Sequence, residues 1–373
     1  MQGKYFQFDE LLTTLSQLLE FESTNPPGNE AQICEYVYNY FKNNNINVEK
    51  IQVEKNKFDI IAHIKGKTSK DSTIFTGHMD VVPVSFEEKH KWKSDPFKPI
   101  ISDGYIYGRG SSDMKSGLCC GMHLLKYLND NNIIPEHDVY FVATYDEEDF
   151  MSGSKALSAF KKCENVIVME PTDLKVCSAS NGRTYGNIKF YGQSGHGSIR
   201  NREGNAILLA HDFISEMERV NFEDNTFWQV VSINAGVEPC VVPDYCIIKI
   251  DARLSKDFDV EEIWRKLENI SSYLKMLHPK FKYEFDIIDK REGWISDKDS
   301  YVYKKLKQTY DKLNINFEED VFPGTTDGTI LRRNNREVII VGPGSLDMAH
   351  KENERCSIDD IKKAFKIYLN YVK

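Results

Sequence analysis

No apolar stretch of about 18 residues occurs in this 373-residue chain, although a helix that spans a bilayer needs roughly that length. The opening Met1-Gln2-Gly3-Lys4-Tyr5-Phe6-Gln7-Phe8-Asp9-Glu10 also lacks an apolar run of signal-peptide length. The expectation is a cytoplasmic protein with no membrane partner. Basic residues are in deficit: 48 Lys and Arg face 57 Asp and Glu, a formal net charge of -9 with a pI near 5.6. Nucleic acid would favour a basic face, so it is not expected as the main partner. The eight cysteines are scattered, with the adjacent Cys119-Cys120 inside a helix-like pattern, and reduced thiols are expected rather than a disulfide frame. Low-complexity tracts and repeats are missing too. What is present, 40% hydrophobic and 12% aromatic residues, is ample for a folded core and argues against disorder.

The length exceeds the roughly 250 to 300 residues at which one core usually stops growing, so two domains are expected. Up to about Asn181 short apolar strands alternate with helix-like segments at Phe8 to Phe21, Glu30 to Asn43 and Met114 to Asn129. Leu11, Leu12, Leu15, Leu18 and Leu19 make one stripe in the first of these. Such alternation predicts an α/β fold, a mostly parallel sheet flanked by helices. From Tyr185 to Ile288 the order becomes β-α-β-β-α-β, that of a ferredoxin-like α+β unit. The chain then returns to helix, a Gly-Thr-Thr-Asp turn, a strand at 338–342 and an amphipathic helix from Ile358 to Val372. The expected division is 1–180 with 291–373 as one discontinuous domain, and 181–290 as an insertion.

His78, Glu148, Glu170 and His350 follow readable strands at 72–77, 138–144, 165–169 and 338–342, while Asp113 lies in the loop Gly108-Arg109-Gly110-Ser111-Ser112 that opens a helix. Loops leaving the carboxyl ends of parallel strands converge, so the five side chains are expected on one rim. Any one of them alone reads better as a polar strand end or a hydrogen-bonded structural residue. Two imidazoles with several carboxylates suit zinc, with cobalt or manganese as substitutes, better than magnesium or calcium.

Five phrases follow one another: Gly77-His78-Met79-Asp80-Val81-Val82-Pro83, Gly108 to Lys115, Asp146-Glu147-Glu148, Met169-Glu170-Pro171-Thr172, and Gly342-Pro343-Gly344 with Ala349-His350. In order and spacing they resemble the metallopeptidase family of acetylornithine deacetylase, succinyl-diaminopimelate desuccinylase, aminoacylase and glutamate carboxypeptidase, over about residues 8 to 370. The resemblance implies a zinc-exopeptidase-like catalytic domain carrying an inserted lid or dimerisation domain. It also implies two zinc ions, one held by His78 and Glu170, the other by Glu148 and His350, with Asp113 bridging.

The same resemblance makes Glu147 the general base, which would accept a proton from water and return it to the leaving nitrogen. Asp80, two residues past His78, would face the same way on an extended chain and accept the other imidazole N–H. His196, in Ser194-Gly195-His196-Gly197-Ser198, is similar to a family histidine that approaches the oxyanion after closure. That closure would hinge near residues 180 and 290. Arg253 resembles an arginine that pairs with a substrate carboxylate, although a strand-edge salt bridge reads as well, and Arg183 is a further candidate. Thr325 and Thr326 would line the pocket, unless Thr326-Asp327 is simply a helix cap.

The chain departs from the family pattern where Cys240 stands in place of an asparagine three residues before Pro243, and where Thr329 replaces an arginine. These departures leave the substrate open. The expected activity is hydrolysis of an amide bond, N-deacylation of an N-acyl amino acid. The alternatives are a dipeptidase or exopeptidase and, more remotely, an inactive scaffold used for binding. A homodimer through the inserted domain is the family habit.

Overall fold

The computed structural model describes residues 8–157, 160, 163–236 and 240–373; the expectation about a leader falls on residues 1–7, outside the described residues. Two compact units divide the chain: Met1–Ala179 with Ser296–Phe322 and Thr326–Lys373, and Ser180–Ile295 with Pro323–Thr325. Among the described residues no helix is long and apolar enough to cross a membrane.

The larger unit is built on a mixed sheet. His137–Thr144, Thr68–His78, Asn165–Val168 and Glu337–Ile340 lie side by side in that order, each parallel to its neighbour. Helices cover both faces, so the central strands are almost continuously apolar; all four residues of Asn165–Val168 are buried. The antiparallel pair Asn47–Glu54 and Lys57–Ile64 extends one side of this core, a hairpin absent from the expected element order. Its outer strand alternates between exposed and half-buried positions, so it offers no apolar run to read.

The stripe of Phe8–Glu20 buries Leu11, Leu15, Leu18 and Leu19, each worth about 2 kcal/mol when removed from water. Leu12 lies at the margin, half-buried. The helix Lys115–Asp130 is buried on most of its circumference. One of its glycines has a steric reason: a Cβ on Gly117 would lie 2.1 Å from the carbonyl oxygen of Met169. Only a bare Cα lets this helix approach the end of Asn165–Val168.

In the smaller unit an antiparallel four-stranded sheet runs Phe227–Ala235, Tyr245–Leu254, Gly182–Tyr191, Lys282–Arg291. The helices Ala206–Met217 and Val260–Leu277 pack on it through Phe213, Leu209, Ile263 and Leu267. Taken in chain order the strands lie 2-3-1-4, the ferredoxin-like arrangement. The fold is thus the α/β architecture with an inserted α+β unit that the element order predicts.

Candidate metal centre

The parallel strands end level with one another. His78 pairs with Thr144, Thr76 with Val168, and Val168 with Ile340. Met169 N donates to Thr76 O at 3.0 Å and Met79 N to Thr144 O at 3.0 Å. This register brings His78, the turn 145–148 and Glu170 to the same edge of the sheet. Asp113 reaches that edge from the 108–114 loop, whose turns close through Ser111 N to Gly108 O (3.0 Å) and Lys115 N to Gly110 O (2.8 Å).

The strand expected to approach His350 ends well short of it. The strand stops at Ile340, a short 3-10 turn occupies Leu346–Met348, and His350 stands in a loop with φ of 59°. Loop geometry, rather than the sheet, places this imidazole.

Among the described residues two groups of potential metal ligands result: His78, Asp113 and Glu170, and Asp113, Glu148 and His350, with the ligand atoms of each group within 4.8 Å of one another. Asp113 belongs to both. Its Oδ1 lies 3.1 Å from His78 Nε2 and its Oδ2 lies 3.2 Å from His350 Nε2. Glu170 Oε1 is 3.7 Å from His78 Nε2, and Glu148 Oε2 is 3.3 Å from His350 Nε2.

The electrostatics suit cations. Burial, then the Asp113 charge, push Glu148 and Glu170 above the ordinary carboxylate range, Glu170 strongly. Burial opposes charge on His350, but Asp113 and Glu148 raise it to about 11. Burial likewise works against His78, where Asp113 and Asp80 prevail and raise it. Three carboxylates converge on the two imidazoles in a largely buried site, and each of them favours positive charge on the rings. Divalent ions at those positions would supply the positive charge that this cluster of acids favours, so nitrogen and oxygen donors in this arrangement fit a pair of such ions.

His78 Nδ1 lies 2.9 Å from the backbone oxygen of Asp80 and 3.4 Å from its Oδ1. The nearer partner is the carbonyl, so the expected Asp80 carboxylate contact takes second place. A carbonyl can only accept, which puts a hydrogen on Nδ1 and directs Nε2 toward the acids. The Asp80 carboxylate mainly serves the neighbouring turn. Its Oδ1 accepts from Glu147 N at 3.2 Å, and its Oδ2 accepts from Glu148 N at 3.0 Å and from Asn25 Nδ2 at 2.9 Å. Glu147 is buried, and burial followed by the charge of Asp327 raises its carboxyl well above the usual range, against the pull of His78.

In the smaller unit, His196 is exposed, its Nδ1 2.8 Å from Ser198 Oγ, on the two-residue strand Gly195–His196 that pairs with Val241–Val242. Arg183 grips Asp251 with Nε at 2.9 Å and Nη2 at 3.3 Å, and Arg253 Nη2 reaches the same carboxylate at 3.1 Å. Arg291, which the sequence pattern does not single out, pairs with Arg183 across the next strand and donates to Asp289 at 2.7 Å. Its Nη1 also donates to Thr325 Oγ1 at 3.4 Å. Thr326 caps the helix Asp327–Leu331 through Gly328 N at 3.1 Å, the role its sequence context also allowed.

Three other residues take their place at the centre from tertiary contacts. Asn25, in Thr24-Asn25-Pro26-Pro27-Gly28, carries only a turn signal. Glu354 shows its role only through its burial, and Asp327, expected at a helix cap or pocket turn, accepts from Thr144 Oγ1 at 2.5 Å. Only their partners mark them.

A mixed sheet whose strand ends gather two acid and imidazole groups around one shared carboxylate is the architecture of a metallohydrolase. Residues 74–373 match the peptidase family M20/M25/M40, and the chain belongs to that family. An uncharacterized metallohydrolase of Methanocaldococcus jannaschii is 26% identical, with 98% of this chain and 99% of the relative covered. The acetylornithine deacetylase of Buchnera aphidicola is 27% identical, covering 95% of this chain and 94% of its own. Among solved structures, a tripeptidase from Staphylococcus aureus superposes with a TM-score of 0.83 at 21% identity, over 99% of both chains.

Proposed function

We propose that this protein is a dinuclear zinc amidohydrolase that releases the acyl group of an N-acyl amino acid, with cobalt or manganese able to substitute for zinc. The observation that carries the proposal is the Asp113 carboxylate, whose two oxygens face the imidazoles of His78 and His350 from opposite ligand groups. In this reading His78 and Glu170 hold one ion, Glu148 and His350 the other, and Asp113 both. Bound ions would polarise an amide carbonyl and lower the pKa of water.

The residues divide the remaining work. Glu147 takes the proton of the attacking water and hands it to the leaving nitrogen, a role suited to a carboxyl whose proton affinity is raised by burial. Asp80 fixes the Glu147-Glu148 backbone and the His78 ring. His196 is proposed to meet the developing oxyanion. Arg183 and Arg253 lie on neighbouring strands of one sheet and both donate to the Asp251 carboxylate. Two guanidiniums on that one carboxylate support a substrate bearing a carboxylate of its own, with Arg253 and Arg183 as its partners; Thr325 and Thr326 are proposed as further substrate contacts.

The test is hydrolysis of matched N-acetyl amino acids, N-succinyl amino acids and dipeptides by protein of measured metal content. Selective cleavage of one acyl series supports the proposal. Preference for dipeptides would make the protein a dipeptidase on the same centre, and metal-loaded protein that cleaves none of the panel would leave only the binding-scaffold alternative.

A further inference from the structure

We infer that Glu354 is a positioning residue, which locks the Asp113 loop to the His350 loop and so sets the geometry of the Glu148–His350 ion position. The inference rests on the dinuclear reading above. Glu354 is 1% exposed and lies in a loop, four residues after His350. Its Oε1 accepts from Ser112 N at 2.8 Å and Asp113 N at 3.0 Å. Its Oε2 accepts from Gly110 N at 3.0 Å and Arg109 Nη1 at 2.9 Å. Its backbone oxygen also accepts from Gly108 N at 3.0 Å. One acid therefore collects five donors, every one from residues 108–113.

A buried carboxylate costs several kcal/mol unless it is paired and hydrogen-bonded, and this one is both. Arg109, also 1% exposed, supplies the pairing and continues to Glu88 and to Lys351 O at 3.2 Å. These bonds join the backbone of Asp113 directly to the segment that carries His350.

The two ion positions depend unequally on this clamp. His78 is the last pair of one parallel ladder and Glu170 follows two residues after the last pair of the next, so the sheet places both. His350 has a half-exposed side chain and a left-handed backbone, so packing does little to place it. Asn353 gives the same loop a separate anchor, accepting from Lys93 N at 2.8 Å and donating to Lys91 O at 3.2 Å. That anchor ties the loop to residues 91–93 and leaves its spacing from Asp113 unset.

The experiment is titration of chelator-stripped full-length protein with Zn2+ and separately with Co2+, in the wild type, Glu354→Gln, Glu354→Asp and Asn353→Ala. A competing chromophoric chelator gives stoichiometry and affinity, Co2+ visible absorption reports the coordination of each ion, and far-ultraviolet circular dichroism reports folding. Glutamine keeps the shape of Glu354 but puts an N–H2 against backbone donors; aspartate keeps the charge and loses reach. The wild type is expected to take two ions. Both Glu354 variants are expected to take the first ion normally and to bind the second roughly 10 to 100-fold more weakly, with Asn353→Ala affected less. If Glu354→Gln fails to fold, the charge-retaining Glu354→Asp decides. Two ions at wild-type affinity in the folded variants, or equal weakening of both ions, would overturn the inference. A wild type that takes fewer than two ions would instead refute the dinuclear reading itself.

Discussion

Asn25 and Asp80 stand 55 positions apart in the chain and are joined by a 2.9 Å hydrogen bond from the amide Nδ2 to Oδ2. The same nitrogen donates to Asp146 Oδ1 at 2.7 Å, so one neutral amide separates two buried acids behind the Glu147-Glu148 turn. Replacing it by alanine leaves both carboxylates short of a donor, which costs about 1 to 3 kcal/mol for a buried group. Asn25→Ala is expected to lower the urea midpoint accordingly and to reduce turnover. An unchanged midpoint would show that water replaces the amide without loss.

Glu147→Gln keeps the volume of the side chain and removes its ability to carry a proton. The expected result is wild-type metal content with turnover reduced roughly 10² to 10⁴-fold. Turnover close to the wild type would take Glu147 out of the proposed role.

Gly117→Ala would put a methyl group 2.1 Å from Met169 O, one residue before Glu170. Backbone cannot yield as a flexible side chain can, and overpacking of this kind costs about 1 to 3 kcal/mol. The variant is expected to melt lower and to bind metal less tightly, because the strand end carrying Glu170 must shift. Calorimetry with and without zinc separates the two effects, and a wild-type melting curve would contradict the steric argument.

Glu30 supplies a pH dependence away from the ligands. Burial first, then the charge of Asp80, raises its carboxyl from 4.5 to about 8. Between those values the folded chain keeps a proton that the unfolded chain has released, so stability from this group is full below pH 4.5 and is lost as pH rises through 8. At about 1.36 kcal/mol per unit the effect is on the order of a few kcal/mol. The Glu30→Gln variant should show a flatter stability profile over this interval; parallel profiles for the two proteins would exclude a buried neutral acid at this position.

Chelation should destabilise the larger unit, since Asp113, Glu147, Glu148 and Glu170 then lose their compensating cations. Ligand present at about 100 times its dissociation constant stabilises by about 2.7 kcal/mol per site. A melting temperature that falls on metal removal and recovers with zinc is expected, and one indifferent to both treatments would count against a resident ion.

Much of this architecture was legible in the chain. The strand His137–Thr144 and the helix Val260–Leu277 sit where apolar runs and helical spacing put them, because burial on both faces, or along one stripe, leaves a periodic mark. The hairpin formed by Asn47–Glu54 and Lys57–Ile64 left no such mark, since its outer strand is half-solvated. At the centre, His78, Asp113, Glu148, Glu170 and His350 were readable from local phrases and strand ends. The roles of Asn25 and Glu354 were not, since a single amide or acid acquires its contacts only from donors and acceptors far away in sequence.

By itself, the order of residues determined the α/β class, the inserted α+β unit and the family, because periodicity and short motifs are properties of neighbours along the chain. Tertiary structure alone decided that both Asp113 oxygens face imidazoles, that the Asp80 carboxylate serves the Glu147-Glu148 backbone, and that Glu354 gathers the 108–113 loop. Each of these is a matter of a few tenths of an ångström between atoms from separate segments, and hydrogen bonding and Coulomb energy depend on that separation rather than on composition.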